Sequence, residues 1–403
     1  MKLPTVETAL TAILAQVRPL DAEDVALALA DGRWLAEAVR AGRDQPPFDA
    51  SAMDGWAVRD ADVRGPDIQE GALRIVGESL AGRGLDIAVE AGETARIFTG
   101  APVPPGADRV VIQDEVERRG DVAVFGSVAS ESRHIRRRGC DFRSGEVLLE
   151  AGTRVNPWRL ALAASAGVAT LRCGPRPAAA ILATGDELVE PGQPAGRDQI
   201  YNSGAPSVAA FVARQGGVAQ VLASSGDDRA AISAAVSGAA FDILVTIGGA
   251  SVGDHDLVKP ALRDLGAVLH VEGVAMRPGK PVWFATLPDG RPVLGLPGNP
   301  ASALVCAELF LAPVLARLQG GALGERFETA TLNGTLPANG PRDHYIRAVS
   351  ASGQDGARKV TPFADQDSSL VSVMAAANAL IRRLPHAAAV ADGEPVSVFG
   401  PAL

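Results

Sequence analysis

The chain is poor in cysteine, aromatic residues and clustered histidine. Its three cysteines, Cys140, Cys173 and Cys306, lie far apart in 403 residues and form no CxxC pair, which excludes a disulfide framework and a thiolate metal site. Aromatic residues make up 4%, and the one basic run, RHIRRR at 133–138, has none interleaved. With 38 Lys and Arg against 47 Asp and Glu the net charge is −9, so the surface as a whole repels nucleic acid and anionic membranes, and neither is expected as a partner. An anionic ligand has to be captured locally. The five histidines are dispersed, and HExxH, G-x-S-x-G and Walker loops are missing, which leaves His-metal and serine-hydrolase chemistry without support. The most apolar run, Leu304 to Leu318, carries Glu308 and Pro313 and falls short of the roughly 20 residues of a bilayer span. It reads as a core helix. At the N-terminus, Glu7 and Gln16 interrupt the unbroken apolar core that a signal peptide needs. Val6, Leu10, Ile13, Leu14 and Val17 instead share one helical face, with Thr5 as N-cap. A reducing cytoplasm is the expected location.

What is present is a soluble-protein composition, 47% hydrophobic and 21% charged, long enough for roughly two to four domains. Residues 50–139 carry short alternating runs (ALRIVGESL, ARIFTG, RVVIQDEV, DVAVFGSV) separated by Gly, Pro and Asp, the pattern of a small β unit. It is inserted between two stretches read as helical, DVALALADGRWLAEAV and NPWRLALAASAGVATL, the second opened by Asn156 and Pro157. Residues 1–49 and 140–176 therefore form a helical or extended linker unit. Over 177–322 apolar strands alternate with helices, which implies a doubly wound parallel α/β domain. Residues 323–403 turn β-rich, as a small C-terminal barrel or sandwich.

Ligands of a doubly wound sheet bind beyond the carboxyl ends of its strands. Three such ends here carry acids: Asp186 and Glu187 after ILATG, Asp227 and Asp228 after VLASSG, and Asp254 and Asp256 after VTIGGASVG. Taken alone, GGASVG is equally a tight turn and Asp256 equally a helix N-cap. Acids at three coincident ends, beside Gly248, Gly249, Ser251 and Gly253, point to a phosphate held on backbone N–H groups with a cation between it and the carboxylates. Thr184 and Gly185 form a turn at the first end. GLPGNPASA places Pro297, Gly298 and Pro300 in a stiff loop before a helix that Asn299 or Ser302 can cap. AMRPGKP and HYIRAVS offer Arg277, Lys280 and Arg347, which beside phosphates would act as clamps.

At these residues the sequence resembles the molybdopterin molybdenumtransferase family, the bacterial MoeA proteins and the gephyrin E domain. The likeness covers nearly the whole chain through MDGWAV, FTGAPVPPGAD, HIRRRGCD, TGDEL, GGASVG, RPGKP, GLPGNPASA and QDSSLVSVMAAANAL. It implies a four-domain, elongated homodimer whose linker unit also serves dimerisation. The implied reaction joins molybdate to adenylylated molybdopterin and releases AMP, with Mg2+ as the cation. Carried over residue by residue, the acids Asp54, Asp141, Glu187, Asp227 and Asp256 and the hydroxyl of Thr99 serve catalysis, with Glu187, Asp227 and Asp256 on the metal. Thr184, Gly185, Gly248, Gly249, Ser251, Gly253, Pro297, Gly298, Asn299 and Pro300 shape the pterin and nucleotide site. Arg277, Lys280, Arg347 and Ser368 or Ser369 take molybdate. The insert, with Asp54 and Thr99, is expected to approach the α/β domain of the other subunit. A molybdopterin adenylyltransferase and molybdoenzyme-maturation proteins are the implied partners. This chain departs from the family pattern at Cys140 for Glu, Trp56 for Tyr, Ala250 for Val and Arg277 for Lys. Two other readings share the α/β pattern: the adenylyltransferase itself, which the insert and MDGWAV oppose, and a non-catalytic pterin-binding scaffold, which the intact acids oppose.

Overall fold

The computed structural model describes residues 3–64, 71–126, 128, 130–223, 228–249, 257–353 and 356–400. The α/β domain is built on six strands: β1 (Ala178–Ala183), β2 (Val218–Val221), β3 (Ile243–Ile247), β4 (Val268–Glu272), β5 (Trp283–Thr286) and β6 (Pro292–Leu296). Their order across the sheet is β2-β1-β3-β6-β5-β4, with the first four parallel. Contrary to the expectation of a wholly parallel sheet, β5 runs against both its neighbours. The connection at 287–291 is too short for the crossover that a parallel β5–β6 pair would need.

Side chains alternate across this sheet. Ile181, Val245 and Leu294 join one buried cluster, while Ala180, Leu182, Leu244 and Val293 join the cluster on the opposite face. Both faces are therefore dry, as continuous Val, Ile and Leu runs require. Helices Arg229–Gly238 and Val258–Asp264 cover one face. Gly204–Arg214 and the long helical run from Pro300 to Leu318 cover the other. That run opens at Pro300, directly after Asn299, because proline suits a first helical turn. It widens to π geometry over Ala307–Leu311, just before Pro313, which has no N–H to give to the preceding turn. At 19 residues it is long and apolar enough to cross a bilayer, yet 83% of its apolar stretch is buried inside the fold. It is a core helix.

The amphipathic helix Val6–Leu14 forms as read, with Thr5 Oγ1 accepting from Thr8 N–H at 3.2 Å. Its apolar face, Val6, Ala9 and Ile13, packs into the α/β core, although the sequence reading grouped residues 1–49 with the linker. The linker itself has its own small core of Val25, Leu35, Val39, Val155 and Leu171. The stretch DVALALADGRWLAEAV, read as a helix, is instead the strand Glu23–Ala26, a tight turn at Leu27–Leu29 and the strand Val39–Arg40. Pairing with Thr170–Cys173, and Gly32 at φ +74°, overrode the helical spacing of its leucines and alanines. The second stretch does form the helix Pro157–Ser165, capped by Asn156 Oδ1 on the Arg159 N–H at 2.9 Å.

The insert is a six-stranded sheet over a core that includes Trp56, Val58, Val111 and Phe125. In the C-terminal unit the strands Phe327–Leu332, Asp343–Ser352, Arg358–Pro362, Ala379–Arg383 and Pro395–Phe399 close on themselves, because Asp343–Ser352 pairs with both Arg358–Pro362 and Ala379–Arg383. Closure removes exposed edges. A two-residue strand from the α/β unit, Met276–Arg277, adds to this barrel beside Asp343 and His344.

Candidate functional site

The carboxyl ends of β1, β3 and β6 lie side by side because those strands are neighbours. The Thr184 N–H donates to Ile247 O at 3.1 Å, and the Gly248 N–H donates to Leu296 O at 3.2 Å, which ties the three loops together. Gly248 holds φ +90°, and a Cβ there would lie 2.7 Å from Thr184 O. A Cβ on Gly298 would lie 3.6 Å from Gly248 Cα. At Gly248 only backbone fits, whereas Gly298 is in ordinary contact distance. Thr184, Gly248 and the Pro297–Gly298 turn share one edge. Gly249 follows at φ +56°. The Glu187 carboxylate, on an exposed residue, folds back over Gly185, where an added Cβ would collide with its Oε2. Ser251, Gly253, Asp227 and Asp256 lie outside the described residues.

The metal expectation rests on carboxylate oxygen alone, the donor set of a hard divalent cation. Of the three expected ligands, Glu187 is the one among the described residues. Among those residues no three Asp, Glu, His or Cys side chains come together as a metal site.

The loop after β6 joins the α/β edge to the barrel. Asn299 stands at the N-cap of the next helix, but its side chain does not cap it. Asn299 Nδ2 donates to Ser368 Oγ at 2.8 Å instead, and the Ala301 N–H donates to Ser368 O at 3.3 Å. Ser302, the other cap expected from the sequence, is buried. Ser368 therefore reaches the α/β edge from another domain.

Beside it stands Arg347, on the barrel strand Asp343–Ser352 and 0% exposed. Its Nη1 donates to Asp367 O at 2.8 Å and its Nε to Gln366 Oε1 at 3.3 Å. Nη2 is buried without a hydrogen-bond partner. Burial pulls this guanidinium below its ordinary basicity; Asp365 and Asp367 oppose that, and the charge of Arg277 adds to it. A buried guanidinium with an unspent donor and a second arginine in electrostatic reach is a ready anion site. The two candidate serines separate here. Ser369 donates its hydroxyl to Asp367 Oδ1 at 2.7 Å, closing a local turn, whereas Ser368 Oγ accepts from Asn299 and keeps its own proton to give. Arg277 and Lys280 are both exposed on the Met276–Arg277 strand and the turn after it.

Asp54, Thr99 and Asp141 form a different group. Asp54 Oδ1 accepts from the Thr99 N–H at 2.7 Å and from Thr99 Oγ1 at 2.8 Å. Those two bonds, with Arg96 nearby, hold the Asp54 carboxyl below the usual aspartate range. Arg96 lies over the Trp56 ring at 5.4 Å and the Phe98 ring at 4.9 Å. Asp141 and Gly100 line a cleft of about 440 Å³ with Arg43, Arg136 and Cys140, between the insert and the linker. The hydrogen bonds of Asp54, Thr99 and Asp141 all stay within those two units. Sequence reasoning missed Gln366 as a partner of Arg347, although it heads the QDSS run; no spacing rule says which strand a loop glutamine will clasp.

A doubly wound domain with a glycine-lined carboxyl edge, a closed barrel delivering a buried arginine and an inserted acid-bearing β unit make a multidomain protein whose α/β domain matches a probable molybdopterin binding domain. Residues 4–167 match the MoeA N-terminal region (domain I and II), 180–317 the probable molybdopterin binding domain, and 329–399 the MoeA C-terminal region (domain IV). The chain belongs to the molybdopterin molybdenumtransferase family, whose work is molybdenum cofactor biosynthesis. It is 32% identical to the molybdopterin molybdenumtransferase of Haemophilus influenzae over 98% of both chains. It is 37% identical to that of a Nostoc species over 81% of this chain and 76% of the relative. The crystal structure of the molybdopterin biosynthesis moeA protein from Pyrococcus horikoshii OT3 is similar at a TM-score of 0.84 and 26% identity, covering 99% of this chain and 100% of that one.

Proposed function

We propose that the chain inserts molybdate into adenylylated molybdopterin, breaking the phosphoanhydride and releasing AMP. The observation that carries this reading is Arg347, buried with a free Nη2 and set beside Ser368 at the junction of barrel and α/β edge. In a chain of net charge −9, such a cation serves a specific anion, and tetrahedral molybdate is one it can grip. Arg277 and Lys280 add charge at the approach. The N–H groups of Gly249 and Gly298, beside Gly248 where a side chain is kept away, would take phosphate oxygens. A divalent cation, Mg2+ in this reading, would neutralise charge on the anhydride, with Glu187, Asp227 and Asp256 as its ligands.

Asp54, Thr99 and Asp141 enter through dimerisation. Their bonds stay within the insert and linker of their own chain, and in this reading they meet the α/β edge of a partner protomer. Mixed dimers of Asp54→Ala and Glu187→Ala chains would then regain about a quarter of the wild-type activity from random pairing, whereas sites built within one chain would regain none. Cytoplasmic residence, an adenylyltransferase that supplies the substrate and maturation proteins that take the product complete the proposal. Its direct test is AMP release from adenylylated molybdopterin with and without molybdate and Mg2+. Molybdate-dependent release supports it; binding of the pterin with no release of AMP overturns it.

A further inference from the structure

We infer that Gln366 is a positioning residue for the oxyanion: it locks the Arg347 guanidinium so that Nη2 is the donor left for the ligand. The inference rests on the reading of Arg347 as the molybdate arginine.

An arginine side chain has many rotamers, and burial alone does not choose one. Gln366 does. Its Oε1 accepts from the Arg347 N–H at 2.9 Å and from Arg347 Nε at 3.3 Å. Its Nε2 donates to Arg347 O and to Phe363 O, both at 2.9 Å. An amide side chain offers two donors and two acceptor lone pairs, and all four are used. The amide therefore has one orientation, because a flip would set donors against donors. Gln366 has nothing left to give a ligand and acts through Arg347 alone.

The segment that carries Gln366 is itself fixed. Asp365 Oδ1 accepts from the Asp367 N–H at 2.9 Å, and Asp367 Oδ1 accepts from the Ser369 N–H at 2.8 Å. These successive turns aim the Asp367 carbonyl at Arg347 Nη1, at 2.8 Å. With Nε and Nη1 both engaged, the guanidinium plane cannot rotate without breaking bonds, and Nη2 is the nitrogen left without a partner. The same turns present Ser368 to Asn299, so one loop places both the cation and the hydroxyl.

The test compares Gln366→Met, which keeps the length and removes all four bonds, with Gln366→Glu, which keeps the acceptors, loses the donors and adds a charge beside Nε. Arg347→Ala serves as reference. Molybdate binding is read by titration calorimetry with sodium molybdate, kcat and both KM values by AMP release, and folding by thermal unfolding. Gln366→Met is expected to raise the molybdate Kd and KM roughly tenfold, with kcat and the pterin KM unchanged, and Gln366→Glu to raise them further. A folded Gln366→Met protein with wild-type molybdate Kd overturns the inference. So does an equal loss for both substrates, which is the mark of a structural role. If Arg347→Ala weakens molybdate and Gln366→Met does not, only the role of Gln366 falls. If neither variant affects molybdate, the assignment of Arg347 falls as well.

Discussion

At the scale of single residues, the anion site turns on how many donors each group has left. Arg347 spends Nε and Nη1 on the barrel and keeps Nη2, while Ser369 spends its hydroxyl on Asp367 and Ser368 keeps its own. Arg347→Lys retains the charge but cannot reproduce the planar bonding to Gln366 and Asp367. It is expected to raise the molybdate KM by at least tenfold, measured by AMP release, while the protein stays folded. Ser368→Ala should raise the molybdate KM several-fold through loss of one donor, about 1 kcal/mol. Ser369→Ala should instead lower thermal stability slightly, with a smaller effect on KM. The sequence named both serines and left them equal. What separates them is a partner 69 positions away, Asn299, which no local pattern reveals.

At the scale of elements, the site depends on loops that come close enough for only backbone to fit. Gly248→Ala combines a disfavoured φ of +90° with an overlap at 2.7 Å on Thr184 O. It is expected to cost about 1–3 kcal/mol in denaturant unfolding and to weaken the pterin nucleotide more than molybdate. Much of this scale was legible. Continuous apolar runs ending in glycine marked β1 and β3, and Pro300 marked a helix entry. The 24–39 stretch was not, because its leucines and alanines repeat at helical spacing while pairing with Thr170–Cys173 decides its fate. Likewise the reversed β5 follows from the length of a connection more than from the strand's own residues. Of the acids read at the strand ends, Asp186, Glu187 and Asp228 are among the described residues, and Asp227, Asp254 and Asp256 lie outside them.

At the scale of the molecule, function requires the barrel to stay docked on the α/β domain. Besides Asn299 with Ser368, Arg382 of the barrel reaches Glu7 on the N-terminal helix, held in place by its Nη2 donating to Asp343 Oδ2 within the barrel at 2.7 Å. This pairing of barrel and helix was beyond sequence reasoning, since its members are hundreds of positions apart. The barrel also carries His344, paired in register with Arg277 on one side and Arg383 on the other. Burial first, and then Arg277, Arg342, Arg347 and Arg383, push its imidazole down from 6.5 to about 4. As pH falls from 6.5 towards 4, the unfolded chain takes up a proton that the folded chain refuses, so stability drops through that window and is unaffected by this group above it. His344→Gln should flatten the acid limb of the stability–pH curve in urea titrations.

The most direct single measurement is AMP release from adenylylated molybdopterin by wild-type and Arg347→Ala protein over a range of molybdate concentrations. The expected result is release that rises with molybdate in the wild type and shifts to at least tenfold higher molybdate in the variant, with the pterin KM little changed. Release by the wild type that ignores molybdate, or the same molybdate curve for both proteins, would contradict the assignment of the buried arginine to the oxyanion.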